Sequence, residues 1–192
     1  MRPSVPYIAS TFFRTKSVFN GLALEDKSED LAKMHKMIFG ALAGLTATTA
    51  MTCFMRLTFD RLPIEDRYPL PPRELTDAVA LTGDDRHPDK ADLTVVSHFA
   101  YGSLAGALYP LISKIRGGGC LYGIIVWCIS YHGWIPAMRL LRPATAHPYK
   151  RNLLMVGAHL IWGAALKISY CEILKSTQKQ FAAGDNKDSY GD

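Results

Sequence analysis

Four long stretches of this chain carry almost no charge, and they limit the folds that it can adopt. They are Met37–Met55, Leu93–Ser113, Gly117–Met138 and Asn152–Leu174, the last interrupted by Lys167 and Glu172. A helix of ~20 apolar residues is long enough to cross the ~30 Å hydrocarbon core of a bilayer. Lipid permits only helices and closed barrels as spanning structures, because every backbone polar group must be satisfied within the protein. The sequence therefore predicts an all-α, integral membrane four-helix bundle.

The predicted spans divide the chain into one transmembrane domain, residues 37–174, and two polar ends. The spans are expected at about 37–59, 93–115, 118–138 and 153–174, with a Pro-rich loop at 60–92, an N-terminal polar or interfacial segment at 1–36 and a polar C-terminal tail at 175–192. A soluble bundle is the alternative, but helices of soluble bundles carry a polar face that these stretches lack. Residues 1–24 contain basic residues and no acid, which suits either a membrane-surface segment or an organellar targeting segment.

The two halves of the predicted transmembrane domain share an internal repeat. The matching segments, in order, are Phe39-Gly40 with Tyr122-Gly123, Met55-Arg56-Leu57 with Met138-Arg139-Leu140, His87-Pro88-x-Lys90 with His147-Pro148-x-Lys150, and His98-x-x-Tyr101-Gly102 with His159-x-x-Trp162-Gly163. Internal symmetry of this kind is common in membrane transport folds. Each copy covers two spans, so the repeat predicts two parallel-repeat helical hairpins with the same orientation in the membrane.

The first predicted hairpin contains a Pro-rich insertion that the second lacks. It includes Pro69-Leu70-Pro71-Pro72-Arg73-Glu74, where proline restricts the backbone to extended or turn conformations. Pro72 can open a short helix over Arg73–Leu81. Arg73 and Glu74 are the candidate functional residues of this loop. The loop either takes part in function or packs rigidly across the mouth of the bundle.

Two motifs resemble those of a known family. Pro69-Leu70-Pro71-Pro72-Arg73 resembles the Pro-Leu-Pro-Pro-Arg element of the YagU-like family of bacterial inner-membrane proteins, and Ala158-His159-Leu160-Ile161-Trp162 resembles the Gly-His-Leu-x-Trp segment of its last helix. The likeness covers roughly residues 37–175. It implies a multi-span inner-membrane protein with a domain of unknown function, and it brings no catalytic residues. The long polar N-terminus departs from the resemblance, so an organellar membrane is the alternative location.

Three histidines are predicted to lie in one layer of the bundle. His98 and His159 lie five and six residues inside the starts of their spans, which is ~8–9 Å at helical rise. His132 lies six residues from the end of the third span, on the same side. Tyr101 and Trp162 are close to these histidines in sequence. Ionisable residues inside membrane spans are costly and are therefore candidates for function.

Three interpretations of this histidine layer stay open at the level of the sequence. The layer can line a polar vestibule for a proton, an ion or a small solute, which suits imidazole because it titrates near neutral pH. His98 and His159 can instead bind haem or a metal between the helices. In the third interpretation, the side chains bond across helices and mark the membrane interface. The sequence identifies no cofactor and contains no metal-ligand motif.

Two arginines are further candidates for a binding role. Arg56 and Arg139 are equivalent in the repeat, where they either reach the lipid headgroups or bind an anion such as a lipid phosphate.

The glycine motifs allow helices to approach closely, either inside the bundle or in a homodimer or a complex with a membrane partner. They are Gly40-x-x-x-Gly44 and Gly102-x-x-x-Gly106. The four cysteines form no Cys-x-x-Cys pair and are expected to be buried small side chains.

The sequence favours transport or sensing over catalysis. It contains no Gly-rich phosphate loop, Ser nucleophile motif or His-Glu-x-x-His, and the first three predicted spans contain no Asp or Glu. Its basic residues are scattered rather than gathered on one face, which argues against nucleic-acid binding. We expect a small permease or a proton- or pH-responsive protein in a bacterial inner membrane. The alternative is a structural or accessory membrane protein that acts through its Pro-rich loop and helix contacts.

Overall fold

Every element in the described part of the chain is helical. The computed structural model describes residues 8–67, 70–74, 89–113, 118–137 and 148–180. The main helices are α1 (Ile8–Phe59), α2 (Asp89–Leu108), α3 (Gly118–Cys128) and α4 (Tyr149–Lys179). A π-helical segment, Ile129–Trp134, and a final turn, Ile135–Ala137, extend α3. Short 3₁₀ turns cover Ile64–Asp66 and Tyr109–Leu111. The predicted all-α class is therefore confirmed for these residues.

In the part of the chain that the structure describes, three helices are long and apolar enough to cross a membrane. They are Lys27–Phe59 within α1, Gly118–Ala137 and Tyr149–Lys179. Their length and composition indicate a membrane protein. Helix α2 covers most of the remaining predicted span but falls outside this set. Besides the polar Ser97, His98, Tyr101 and Ser103 near its centre, it contains the charged residues Asp89, Lys90 and Asp92 at its start.

Helices α1 and α4 extend beyond the predicted spans. Helix α1 begins at Ile8, so residues 8–36 of the expected interfacial segment are helical. Residues 1–36 form one compact unit, and residues 37–192 form a second. Helix α4 starts after Pro148 and ends at Lys179, five residues into the expected tail at 175–192. Residues 164–179 contain neither glycine nor proline, so nothing in the sequence stops the helix where the apolar stretch ends.

In the part of α1 whose side chains are described, from residue 27 onward, threonine hydroxyl groups bond within the helix itself. Thr48 donates to the Gly44 carbonyl at 2.8 Å, and Thr52 donates to the Thr48 carbonyl at 2.8 Å. Thr58 donates to the Phe54 carbonyl at 2.7 Å in the same way. A hydroxyl bonded to the carbonyl four residues earlier needs no water. This local bonding lets a threonine-rich helix lie in an apolar surrounding.

Glycines bring α1 and α2 into backbone contact. A Cβ atom added at Gly106 would lie 2.7 Å from the Cα of Gly44 and would also meet the Gly40 carbonyl oxygen. A Cβ at Gly44 would meet the carbonyl oxygen of Gly102. The two Gly-x-x-x-Gly motifs therefore face each other within one chain, as small residues do where membrane helices approach closely.

A second glycine contact joins α3 and α4. A Cβ added at Gly119 would lie 2.5 Å from the Gly163 carbonyl oxygen, and one at Gly123 would meet the carbonyl oxygen of His159. Gly119-x-x-x-Gly123 is a third motif of this kind, in addition to the two named above. These close contacts set the distance between the helices that surround the site described below.

The bundle has a core of small, aliphatic and aromatic residues and an apolar outer surface. Ala43 and Leu166 are fully buried and Trp162 is nearly so, whereas Leu104 and Ile129 are exposed on the helix surfaces. Exposed apolar side chains over several helices are what a lipid-facing surface requires. The cysteines contradict the expectation of burial, because three of the four are exposed on this surface. They are Cys53, Cys120 and Cys128.

Candidate functional site

A pocket of about 290 Å³ lies among the helices of residues 37–192. Its polar lining comes from four different helical segments, and we call it the inner pocket. These polar lining residues include Thr48, His98, Tyr101, Ser130, His159 and Trp162. Most of the remaining lining is apolar and includes Met51 and Met155. Such a mixture, with a few hydrogen-bonding groups on apolar walls, is typical of small-molecule sites.

The two imidazoles of the inner pocket differ in their bonding. The Nδ1 atom of His159 lies 2.8 Å from the carbonyl oxygen of Met155. Since a carbonyl only accepts, this ring nitrogen donates, and the Nε2 atom of neutral His159 is then an acceptor. The Nε2 atom of His98 is buried and has no hydrogen-bond partner among the described residues. A buried polar atom without a partner is costly, so His98 favours a bound molecule or water that can bond to it.

A hydroxyl pair forms another polar part of the lining. Tyr101 and Ser130 have their side-chain oxygens 2.6 Å apart, and the Ser130 hydroxyl lies 2.7 Å from the Val126 carbonyl oxygen. Ser130 must donate to the carbonyl, so the phenol of Tyr101 donates to Ser130. The phenol proton of Tyr101 is therefore used in the bond to Ser130, which joins α2 to the end of α3.

The π-helical segment positions part of this lining. Ile129–Trp134 replaces the regular helix at the end of α3, and Gly133 has non-helical dihedral angles of φ −100° and ψ −106°. Ser130 and Tyr131 are adjacent in sequence, and both are buried in the wall of the inner pocket. π-helical turns occur often at functional sites because they redirect side chains. This segment is thus a second sign that the pocket is a site rather than a packing gap.

Trp162 links α4 to α1 across the pocket. Its Nε1 atom donates to the Thr48 hydroxyl at 3.1 Å, and that hydroxyl donates in turn to the Gly44 carbonyl at 2.8 Å. Trp162 and Thr48 are both buried. By contrast, the Nε1 atom of Trp127, which also lines the pocket, is buried without a hydrogen-bond partner in the described part of the chain. Trp127 can therefore offer a donor to a bound solute.

The structure brings four of the predicted site residues together and leaves others apart. His98, His159, Tyr101 and Trp162 all line the inner pocket. His132 is exposed and does not line it, with its ring 5.2 Å from that of Trp127 in an edge-on contact. Sequence spacing predicts depth along a helix, whereas direction around the axis depends on helix type. His132 lies in the π-helical segment, where the regular spacing does not hold.

Only one arginine of the predicted pair lies in the described part of the chain. Arg56 is exposed and lines a separate concave surface, while Arg139 lies outside the described residues. This second surface has a volume of about 430 Å³, and we call it the outer groove. Its lining includes Met55, Arg56, Asp60, Arg73, Val95 and Phe99. His98 and Pro72 line both the inner pocket and the outer groove, so the two spaces are neighbours.

The described part of the Pro-rich loop packs against the helices. Residues 71–74 form one helical turn, and the backbone N–H groups of Arg73 and Glu74 both bond to the Leu70 carbonyl oxygen, at 2.9 and 3.1 Å. An Oε1 atom of Glu74 lies 3.0 Å from an Nη2 atom of Arg151 at the start of α4. The Arg151 side chain is 0% exposed, and that of Glu74 is 19% exposed. The rest of the predicted helix Arg73–Leu81 lies outside the described residues.

Sequence reasoning missed Thr48, Trp127 and Ser130, which line the inner pocket. It also missed the buried Arg151, which lines neither the inner pocket nor the outer groove. A basic residue at the start of a span looks like an ordinary headgroup contact, and only the folded loop brings Glu74 to it. The one signal in the sequence is the pairing of an acid in the Pro-rich insertion with a base at the start of the last span.

The described lining of the inner pocket is polar through imidazole, hydroxyl and indole groups. Among the described residues that line it, none is Asp, Glu, Lys or Arg. The described residues also contain no group of three or more His, Cys, Asp and Glu that could hold a metal ion. The pocket's described chemistry is therefore that of hydrogen bonding and of proton exchange at imidazole.

The sequence was compared with protein-family models, and none matches; no curated protein and no solved structure matches it either. The resemblance to the YagU-like family therefore rests on the two sequence motifs alone.

Proposed function

We propose that this chain is a small permease or pH-responsive membrane protein whose site is the inner pocket. The pocket takes a small, largely apolar solute that contacts the imidazoles of His98 and His159. One observation carries this proposal: two histidines from different helices line a single pocket of about 290 Å³ in a protein with helices long enough to span a membrane. Ionisable side chains at such positions are costly unless they serve a solute or a proton.

The lining argues for an organic solute rather than a metal ion or a strongly charged ion. Apolar walls stabilise an apolar body, and the few polar atoms set its orientation. His98 and Trp127 each present a buried nitrogen without a partner among the described residues. A solute with one hydrogen-bonding group would satisfy at least one of them. A fully charged solute would have no counter-charge in this part of the pocket.

The histidines also make the site sensitive to pH. They are the lining residues, among those described, whose side chains ordinarily titrate near neutral pH. Protonation would place a positive charge in an otherwise uncharged, apolar pocket, so binding of an uncharged solute should weaken as the pH falls. A permease could use this change to release its solute on the more acidic side of a membrane.

The proposal includes the finer architecture predicted from the repeat. In this architecture the chain has four spans, of which α2 is the second, and they form two parallel-repeat hairpins. The glycine contacts support this arrangement, because Gly40 and Gly123 are equivalent in the repeat and each approaches the helix that would follow it in its hairpin. Gly102 and Gly163 are equivalent in the same way. The resemblance to the YagU-like family supports a bacterial inner membrane, with an organellar membrane as the alternative location.

The test measures solute binding and proton flux with purified, full-length protein. The binding probe is a long-chain alcohol with bromine at its far end, which quenches tryptophan emission on contact. His98→Ala and His159→Ala, singly and together, should change the pH dependence of quenching and of proton flux into liposomes loaded with a pH-reporting dye. His132→Ala is the matched control, since His132 is exposed and outside the pocket. Unchanged flux and unchanged quenching in the double variant, at normal protein level, would refute the proposal.

A structural or accessory role through the Pro-rich loop is the second candidate. The buried contact between Glu74 and Arg151 favours it in one respect, because it holds the loop in a defined place on the helices. Deletion of residues 64–80 should then remove a co-purifying membrane protein while the spans still insert. Retention of that partner after the deletion would eliminate this role.

A further inference from the structure

We propose that the inner pocket binds a neutral phenol, that is, a single aromatic ring with one hydroxyl group and a short alkyl substituent. The inference rests on the proposed function, because it keeps the inner pocket as the solute site and adds the chemical class of the solute. Two features of the pocket carry it: the fixed acceptor on His159 and the rings in the lining.

His159 presents a hydrogen-bond acceptor to the inner pocket, which it lines. Its Nδ1 atom donates to the Met155 carbonyl oxygen at 2.8 Å, one turn earlier in α4, so the Nε2 atom of the neutral ring can only accept. No residue in the described part of the chain bonds to that Nε2 atom. A solute that satisfies this nitrogen must therefore offer a donor. A carbonyl or an ether group has no proton to give and would leave the nitrogen unpaired.

A second polar group of the lining favours a hydroxyl over an N–H group. Trp127 lines the same pocket, and its Nε1 atom is a buried donor without a partner among the described residues. An indole N–H of a solute donates but cannot accept, whereas a hydroxyl group does both and can meet either need. A phenol is uncharged at neutral pH because its pKa is about 10. This suits a described lining without Asp, Glu, Lys or Arg.

The rings of the lining favour an aromatic solute over a saturated one. Helix α2, helix α3 with its π-helical extension, and helix α4 each contribute two ring side chains. They are His98, Tyr101, Trp127, Tyr131, His159 and Trp162. Aromatic rings attract one another in edge-on and offset arrangements, in addition to the effect of apolar burial. Met51 and Met155 complete these walls, and methionine sulfur also makes favourable contacts with ring edges.

The volume of the inner pocket suits one ring. An apolar cavity of ~150 Å³ holds a benzene molecule. The inner pocket has a volume of about 290 Å³, so a phenol ring fits and leaves room for a short alkyl substituent. Apolar burial of the ring and a hydrogen bond from its hydroxyl to His159 then act on one small molecule.

The experiment compares three probes of similar size. They are 4-ethylphenol, 4-ethyltoluene, in which a methyl group replaces the hydroxyl, and 4-ethylcyclohexanol, in which the ring is saturated. Affinities are measured by isothermal titration calorimetry with purified, full-length protein in micelles, and micelles alone serve as the blank. We expect 4-ethylphenol to bind about three- to tenfold more tightly than either of the other two probes.

A histidine variant tests which atom accepts the hydroxyl proton. His159→Phe keeps a ring at this position but removes the acceptor, so the ratio of the 4-ethylphenol affinity to the 4-ethyltoluene affinity should fall to about one. His132→Phe is the matched control, because His132 is exposed and does not line the inner pocket. It should retain the preference for 4-ethylphenol. Circular dichroism confirms that both variants keep their helix content.

The outcomes separate this inference from the proposed function. Equal affinity of wild-type protein for 4-ethylphenol and either of the other probes would overturn the inference, whether or not the variants fold. A preference that persisted in His159→Phe would also overturn it. If none of the three probes bound while the brominated alcohol still quenched tryptophan emission, the inference would fail and the proposed function would stand. If the brominated alcohol failed as well, the proposed function itself would fail.

Discussion

Replacing Gly106 by alanine is expected to destabilise the helical bundle by about 1–3 kcal/mol, the usual cost of overpacking. The added Cβ atom would lie 2.7 Å from the Cα of Gly44 and would also meet the Gly40 carbonyl oxygen. Carbon atoms pack best at ~3.5–4.0 Å, so α1 and α2 would have to separate by about 1 Å. The obstructing atoms belong to the backbone, so no change of side-chain rotamer can relieve the overlap.

The matched control for this prediction is Gly157→Ala in α4. Its Cβ would lie 3.3 Å from the Cζ atom of Phe54, a side chain that can shift, and alanine raises helix propensity by ~0.8–1.0 kcal/mol over glycine. This variant should be near neutral or slightly stabilising. The free energy of unfolding of both variants can be measured by SDS titration in mixed micelles, followed by circular dichroism. Equal stability of Gly106→Ala and Gly157→Ala would refute the backbone contact between α1 and α2.

Three further changes test other parts of the structure. Glu74→Gln should cost about 2–4 kcal/mol in the same titration, because it removes the carboxylate that lies 3.0 Å from the buried Arg151 guanidinium, and replacing both residues by Leu and Met should recover most of this loss. Tyr101→Phe should cost about 1 kcal/mol, and a double-mutant cycle with Ser130→Ala should show that the two positions are coupled; additive costs would contradict their hydrogen bond. Leu45→Lys, at a position 38% exposed in α1, should reduce membrane insertion by ~2.5–3.5 kcal/mol in a glycosylation assay, and unchanged insertion would argue against a lipid-facing position.

The sequence predicts how deep a residue lies along its helix better than it predicts which side of the helix that residue occupies. Their distances from the span starts predict a similar depth for His98 and His159, and both line one pocket. The same count predicts a similar depth for His132, which is exposed. Depth follows from residue count at a constant rise per residue. Direction around the axis requires a known helix type and a known neighbour, and the π-helical segment at Ile129–Trp134 changes both.

The loop contact shows a second limit of sequence reasoning. Glu74 and Arg151 are separated by two predicted spans, and their opposite charges are the one sequence feature that suggests a contact between them. Their ion pair forms only because the chain returns from α3 to place the start of α4 beside the loop. The glycine motifs, in contrast, indicated close helix contact correctly, although they did not specify which helices meet.

The sequence by itself determined that this chain forms helices of membrane-spanning length. Uncharged runs of sufficient length allow little else, because lipid leaves no partner for an open backbone. Only the tertiary structure decided which faces of those helices meet and which polar side chains turn inward. Helices that are apolar all round contain little information about their own orientation, since lipid and protein interior are almost equally favourable for an apolar side chain. Backbone contacts such as Gly106 with Gly44, and hydrogen bonds such as Trp162 with Thr48, select the arrangement that forms the inner pocket.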